Sequence, residues 1–153
     1  MTMTCATFDQ FAAECDARNT IQLKVTEWSL MLCDALRQNF IDYSIKQHER
    51  SVDYADVHES CIEKLKNGDC DYSFIIESGT KYHKIIMEID NGPNRMGPSR
   101  SVHCFINRKT GEVYKSASWK SPAKGVRYDL RIIKQREWLL ENADWAGGYL
   151  YMK

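Results

Sequence analysis

Between Arg100 and Arg136 the chain carries ten basic residues against two acids, Glu112 and Asp129, with Phe105, Tyr114, Trp119 and Tyr128 interleaved. Guanidinium and ammonium groups satisfy phosphate oxygens, arginine with a two-pronged donor, and aromatic faces stack on nucleobases. A nucleotide or nucleic-acid site requires that mixture. Lys115, Lys120, Lys124 and Arg127 are the candidate phosphate ligands, helped by Arg100 from the end of a loop. Trp119 and Tyr128 are candidate stacking faces, Trp145 a third wall, and His103 a hydrogen-bond donor. Ordinary roles compete for their neighbours. Arg108 and Lys109 sit in a turn, where solvation is usual; Lys134 and Arg136 can pair with Glu137 and Glu141 along a helix surface. Trp138, at helical spacing, reads as core, and Trp119 is balanced between core and stacking.

Signals for catalysis are weaker. General acid–base chemistry needs a positioned histidine or paired carboxylates. His103 and His83 fall on adjacent expected strands, where a lone histidine is commonly structural, though a small phosphodiesterase using both stays open. Cys104 follows His103 directly, and neighbours on a strand point to opposite faces, so they form no nucleophile–base pair unless the strand bulges. The segment is poor in acids, which disfavours magnesium-dependent phosphoryl transfer. The chain contains no P-loop, Gly-x-Gly-x-x-Gly or nucleophile elbow. Six scattered cysteines without a Cys-x-x-Cys pair read as free thiols of a reducing cytoplasm, and neither a metal nor a cofactor is expected.

The elements that must position these residues follow from periodicity. Phe8, Phe11, Ala12 and Cys15 mark a helical face up to about Asn19, and a longer stripe runs from Ile21 to His48 through Leu23, Trp28, Met31, Leu32, Ala35, Leu36, Phe40 and Tyr43. A second helix is expected from Ser51-Val52-Asp53-Tyr54, a plausible capped start, to the stop at Asn67-Gly68. The Trp28–Phe40 stripe is the candidate interface of a homodimer. After Gly68 the period shifts towards two. Strands are expected over 72–77 and 82–89 around the turn Ser78-Gly79-Thr80-Lys81, then over 101–106 and 112–115. Asn91–Ser99, rich in Gly and Pro, reads as a mobile loop of the kind that covers sites. A third helix is expected over 130–142 and a last strand at Tyr149-Leu150-Tyr151. Helices grouped ahead of a strand meander define an α+β class, one domain over 1–153 with a helical part (1–68) and a basic, sheet-containing part (69–153).

Charge is zero overall but divided. Residues 1–91 hold nine basic against sixteen acidic groups, a net of −7; residues 92–153 hold twelve against five, a net of +7. The two halves either attract each other or present a positive face that concentrates an anion. No long apolar run suits a membrane span, and the N-terminus lacks a secretory pattern, so a cytoplasmic protein is expected.

The run Arg100-Ser101-Val102-His103-Cys104-Phe105-Ile106, the run from Gly111 to Tyr128 that includes Ser118-Trp119-Lys120-Ser121-Pro122, and the ending from Ala143 to Tyr151 resemble a family of small bacteriophage proteins, over roughly residues 81–151. Proteins of that kind include sponges that sequester cyclic oligonucleotides or ADP-ribose-derived signals of bacterial immune systems such as Thoeris and CBASS. The resemblance implies a compact, dimeric protein in the infected host that binds such a signal without turnover. A single-stranded nucleic-acid binder and an inhibitor docking on a host protein are the alternatives; overall neutrality weighs against the first.

Overall fold

The computed structural model describes residues 7–93 and 97–151. One helix, α1 (Phe8–Arg50), takes up both helical stretches of the sequence without a break, because neither Gly nor Pro falls between them. The Thr7 hydroxyl caps it by accepting the Gln10 amide. At 43 residues it is about 65 Å long. Val25, Ser29, Leu32, Cys33 and Leu36, spaced by three and four, form its buried face, whereas Phe8 and Leu23 are largely exposed. Part of the Trp28–Phe40 stripe, Leu32 and Leu36, serves the chain's own core, while Met31 within it is exposed. Leu32 and Leu36 are fully buried, Phe40 stacks on Tyr72 at 3.8 Å between centroids, and the Arg136 guanidinium lies 4.2 Å from the centre of the Trp28 ring.

The second helix, α2 (Ala55–Lys66), starts four residues later than expected. Tyr54 precedes it in left-handed backbone (φ 57°) with no side-chain cap bond, so Ser51 is no N-cap; its amide closes α1 on His48 instead. α2 buries no residue completely and is tied to α1 by a His48–His58 ring contact.

Strands β1 (Tyr72–Ser78), β2 (Tyr82–Ile89), β3 (Ser99–Asn107), β4 (Glu112–Lys115) and β5 (Tyr128–Asp129) form an antiparallel meander in sequence order. The class is α+β. Residues 94–96 of the expected mobile loop lie outside the described residues; beside them, Asn91 bonds Ser99 Oγ at 2.8 Å. One face of the sheet packs on α1 and on α3 (Ile133–Asn142): Phe74, Ile85, Cys104, Ile106 and Val113 join Val25, Leu32, Leu36, Leu130 and Leu139 in the core. The third helix begins at Ile133, not Leu130, because Leu130 is committed to the core and its amide to Gly111 O. The expected last strand is a 3₁₀ turn, Gly148–Leu150, set by Gly147 at φ 84°. Cys15, Cys33, Cys61, Cys70 and Cys104 are free thiols. Among the described residues no helix is long and apolar enough to cross a membrane, charged residues breaking up even α1.

Candidate functional site

Alternation along β3 and β4 divides the expected site residues between the two faces of the sheet. Arg100, Phe105 and Tyr114 are in register with Glu88, Lys84 and each other on the face away from α1. Cys104 and Lys115 pair on the opposite face. The nine residues expected to line one cavity do not meet. They fall into two clefts and a structural group.

The first cleft lies on the face away from α1. Ala117 and Ser118 donate their amides to Ser121 O, and Ser118 Oγ accepts the amides of Lys120 and Ser121, which makes a tight turn with Trp119 at its tip. That turn holds the indole over the sheet. Lys84 Nζ lies 4.9 Å from the Trp119 ring centre and 5.8 Å from that of Phe105. Trp119 remains 41% exposed, so the ring has contact surface left to offer. Lys81, Tyr82, Lys84, Phe105, Lys120 and Glu77 border a cleft of about 260 Å³ beneath the β1–β2 turn. Three lysines against one carboxylate make it positive. Arg100 is spent differently from expectation. Its guanidinium pairs with Glu77 and with Glu88, at 3.2 Å each, and packs 5.7 Å from Trp119, so it orients the indole while its charge is matched.

The second cleft, about 190 Å³, opens on the α1 side and gathers His103, Lys115 and Trp145 with Ser101, Ser116, Gly147 and Tyr151. Trp145 is anchored there by its amide to Asn39 Oδ1 (3.0 Å) and by edge contacts with Phe40 and Tyr72. The remaining candidates are scaffold. Arg127 donates Nε to Leu150 O (2.6 Å) and Nη1 to Lys124 O and Gly125 O (3.0 and 2.7 Å), leaving its fork little to give a phosphate. Tyr128 donates its hydroxyl to Tyr149 O and stacks on Trp138, which is half exposed rather than core. Lys124 is exposed outside both clefts.

The strand does bulge at the histidine–cysteine step. Ile85 faces Cys104 and Ile86 faces Val102, so His103 is the extra residue of β3, and its ring meets Phe74 and Tyr149 on the core side. Burial nevertheless removes the nucleophile. Cys104 is fully buried and its thiol pKa is pushed far up; that of Cys33 is raised to about 12, by burial first and Asp34 second. Neither is a thiolate near neutrality. The pKa of His103 is lowered to about 4 by burial, against an opposing pull from Asp144. His83 is buried with both ring nitrogens engaged, Nε2 with Thr26 Oγ1 (3.1 Å) and Nδ1 with Ser78 Oγ (2.7 Å), and its pKa is lowered by burial and then by Arg108. It stitches α1 to the sheet. Among the described residues no three His, Cys, Asp or Glu side chains are arranged to hold a metal ion.

Sequence reasoning missed Lys81, Tyr82 and Lys84, because strand residues were read for periodicity alone. The signal was there: Tyr82 and Lys84, two apart, must share a face.

A helix layer on one face of an antiparallel meander, with a lysine-rich aromatic cleft on the other, defines a small α+β domain. Residues 8–152 match a family of unknown function, DUF7717, and the chain belongs to that family. No curated protein and no solved structure matches it.

Proposed function

We propose that this protein binds a phosphate-bearing planar ligand of nucleotide type in the cleft beneath the β1–β2 turn, beside the exposed Trp119 ring, and holds it without chemical change. The observation that carries the reading is the cleft lined by Lys81, Lys84, Lys120, Tyr82 and Phe105, with the Trp119 ring beside it, its centre 4.9 Å from Lys84 Nζ. An aromatic face beside several ammonium groups suits a base carrying a phosphate. Retention without turnover follows from the cleft's one carboxylate. Glu77 Oε2 is already engaged by the Arg100 guanidinium at 3.2 Å.

The volume limits the ligand. About 260 Å³ is below the ~300–1,000 Å³ usual for drug-sized ligands, so the cleft takes one base-and-phosphate unit of a larger molecule. For the immune-signal reading, which comes from the sequence resemblance, an ADP-ribose-derived molecule fits a single chain more readily than a cyclic oligonucleotide. A homodimer that enclosed the larger ligand would use the exposed apolar residues of α1, among them Leu23, Leu30 and Met31.

Calorimetric titration with AMP, ADP-ribose and a panel of cyclic dinucleotides tests the proposal. Saturable binding, weakened at least tenfold by Trp119→Ala and by Lys84→Met, with intact ligand recovered after denaturation, supports it. Absence of binding across the panel, or binding indifferent to both substitutions, removes it.

One feature favours a second reading. The cleft is open along a face that also carries Tyr114, and a single strand of nucleic acid needs a track rather than an enclosure. Affinity falling steeply with salt would support the strand; a shallow slope supports the small ligand.

A further inference from the structure

The nucleotide reading leaves the bulge at His103 unused. Its ring accepts or donates at one nitrogen only: Nε2 lies 2.7 Å from the Tyr149 hydroxyl. Burial holds that phenol's pKa well above its ordinary value, so the phenol keeps its proton and donates to Nε2. A neutral imidazole that accepts at Nε2 carries its proton on Nδ1. Nδ1 has no hydrogen-bond partner among the described residues, and the ring lines the 190 Å³ cleft. Lys115, on the neighbouring strand, lines the same cleft. Its ammonium has no carboxylate partner among the described residues, lying 4.8 Å from the Tyr151 ring centre and 3.4 Å from Ser116 O. Ser101, exposed at the rim, adds a hydroxyl. Gly147, at φ 84°, forms the wall beside His103; a Cβ there would lie 3.6 Å from His103 Cε1, in ordinary contact.

We propose that this cleft is a second binding site, for a singly charged oxyanion such as a carboxylate or a phosphodiester, gripped between the Lys115 ammonium and the His103 Nδ1–H. One charge is the right number because Asp144, whose carboxylate accepts the Gly148 amide and whose field reaches His103, offsets part of the lysine. A dianion would bring a second negative charge that no other cation lining the cleft offsets. The site is on the opposite face of the sheet from Trp119 and stands whether or not a nucleotide binds there.

The experiment is an NMR titration of the full chain, following the His103 ring nitrogens, with sodium acetate, dimethyl phosphate and inorganic phosphate at constant ionic strength. Saturable shifts at Nδ1 with a Kd on the order of 1 mM are expected for the two monoanions, with the Trp119 indole unmoved. Between pH 7.5 and 5.5 the affinity for dimethyl phosphate should stay flat, because the ligand is the neutral ring; a binding imidazolium would strengthen as pH falls. Lys115→Met should weaken binding at least tenfold, and Lys115→Arg should restore most of it. Linear, non-saturating shifts, or a Lys115→Met protein that is folded and binds as before, overturn the proposal. If only the dianion binds, the assignment of charge is wrong and the proposal fails with it.

Discussion

On the face of the sheet that packs against α1, Ile85, Cys104, Ile106 and Val113 are fully buried, and the polar residues among them are fastened to fixed partners: His83 to Thr26 and Ser78, His103 to Tyr149. On the other face Lys84, Arg100 and Trp119 keep part of their surface in water and hold one another by ion pairs and ring contacts. The difference lies in what covers each face. Where the helix layer excludes water, buried ionisable groups such as His83 and His103 are pushed towards neutrality, while at the rim of that face Lys115 borders an open cleft. The turn from Ala117 to Ser121, with Trp119 at its tip, covers less: Phe105 is buried there, but Lys84 and Trp119 stay partly exposed. Charge survives there, and with it the ability to attract an anion.

If that contrast is right, substitutions on the covered face should cost stability and those on the other should cost ligand. The largest effect belongs to Leu36→Ala, fully buried between α1 and the sheet, expected to lower unfolding free energy by about 2–5 kcal/mol in urea titrations. Next is the acid limb. Since the folded pKa of His103, about 4, is below its ordinary 6.5, the neutral ring's contribution is complete above pH 6.5 and is lost as pH falls towards 4. It should amount to about 3 kcal/mol across that window, and His103→Gln should flatten the curve there. Arg127→Ala, which strands the carbonyls of Lys124, Gly125 and Leu150, should cost about 1–3 kcal/mol and leave nucleotide affinity alone. Were Arg127 a phosphate ligand, affinity would collapse instead.

Across the sheet the ranking reverses. Trp119→Ala should move stability by no more than about 0.5 kcal/mol while weakening the proposed nucleotide by about 1.4–3 kcal/mol, readable in one calorimetric series. The smallest change is Arg100→Met. Its pairs with Glu77 and Glu88 are partly exposed, so the thermal midpoint should shift by less than the equivalent of about 1 kcal/mol, and less still in high salt. A Trp119→Ala protein that unfolds as readily as Leu36→Ala would break the comparison.

Periodicity and turn residues located the helical stretches that merge into α1, the hairpin around Ser78–Lys81, and strands 72–78, 82–89 and 112–115 to within a residue or two. Those elements are governed by side chains a few residues apart. Where the reading slipped, a distant partner was responsible: Leu130 is drawn out of the third helix by Gly111 and the core, and Tyr149 out of a strand by Gly147 and His103. The candidate site fared worse for the same reason. Lys115, Lys120, Lys124 and Arg127 are adjacent in sequence and share a composition, yet one faces the helix layer, one borders the opposite cleft, one is exposed beyond both and one braces the C-terminal turn.

Hydrophobic spacing, turn residues and the excess of basic groups were enough to settle an α+β class and a positive C-terminal half, because each is a local property of the chain. Which lysine meets which ring was decided only when the strands paired. A shift of one residue along a strand turns a side chain through the sheet, and the bulge at His103 makes such a shift at a single point.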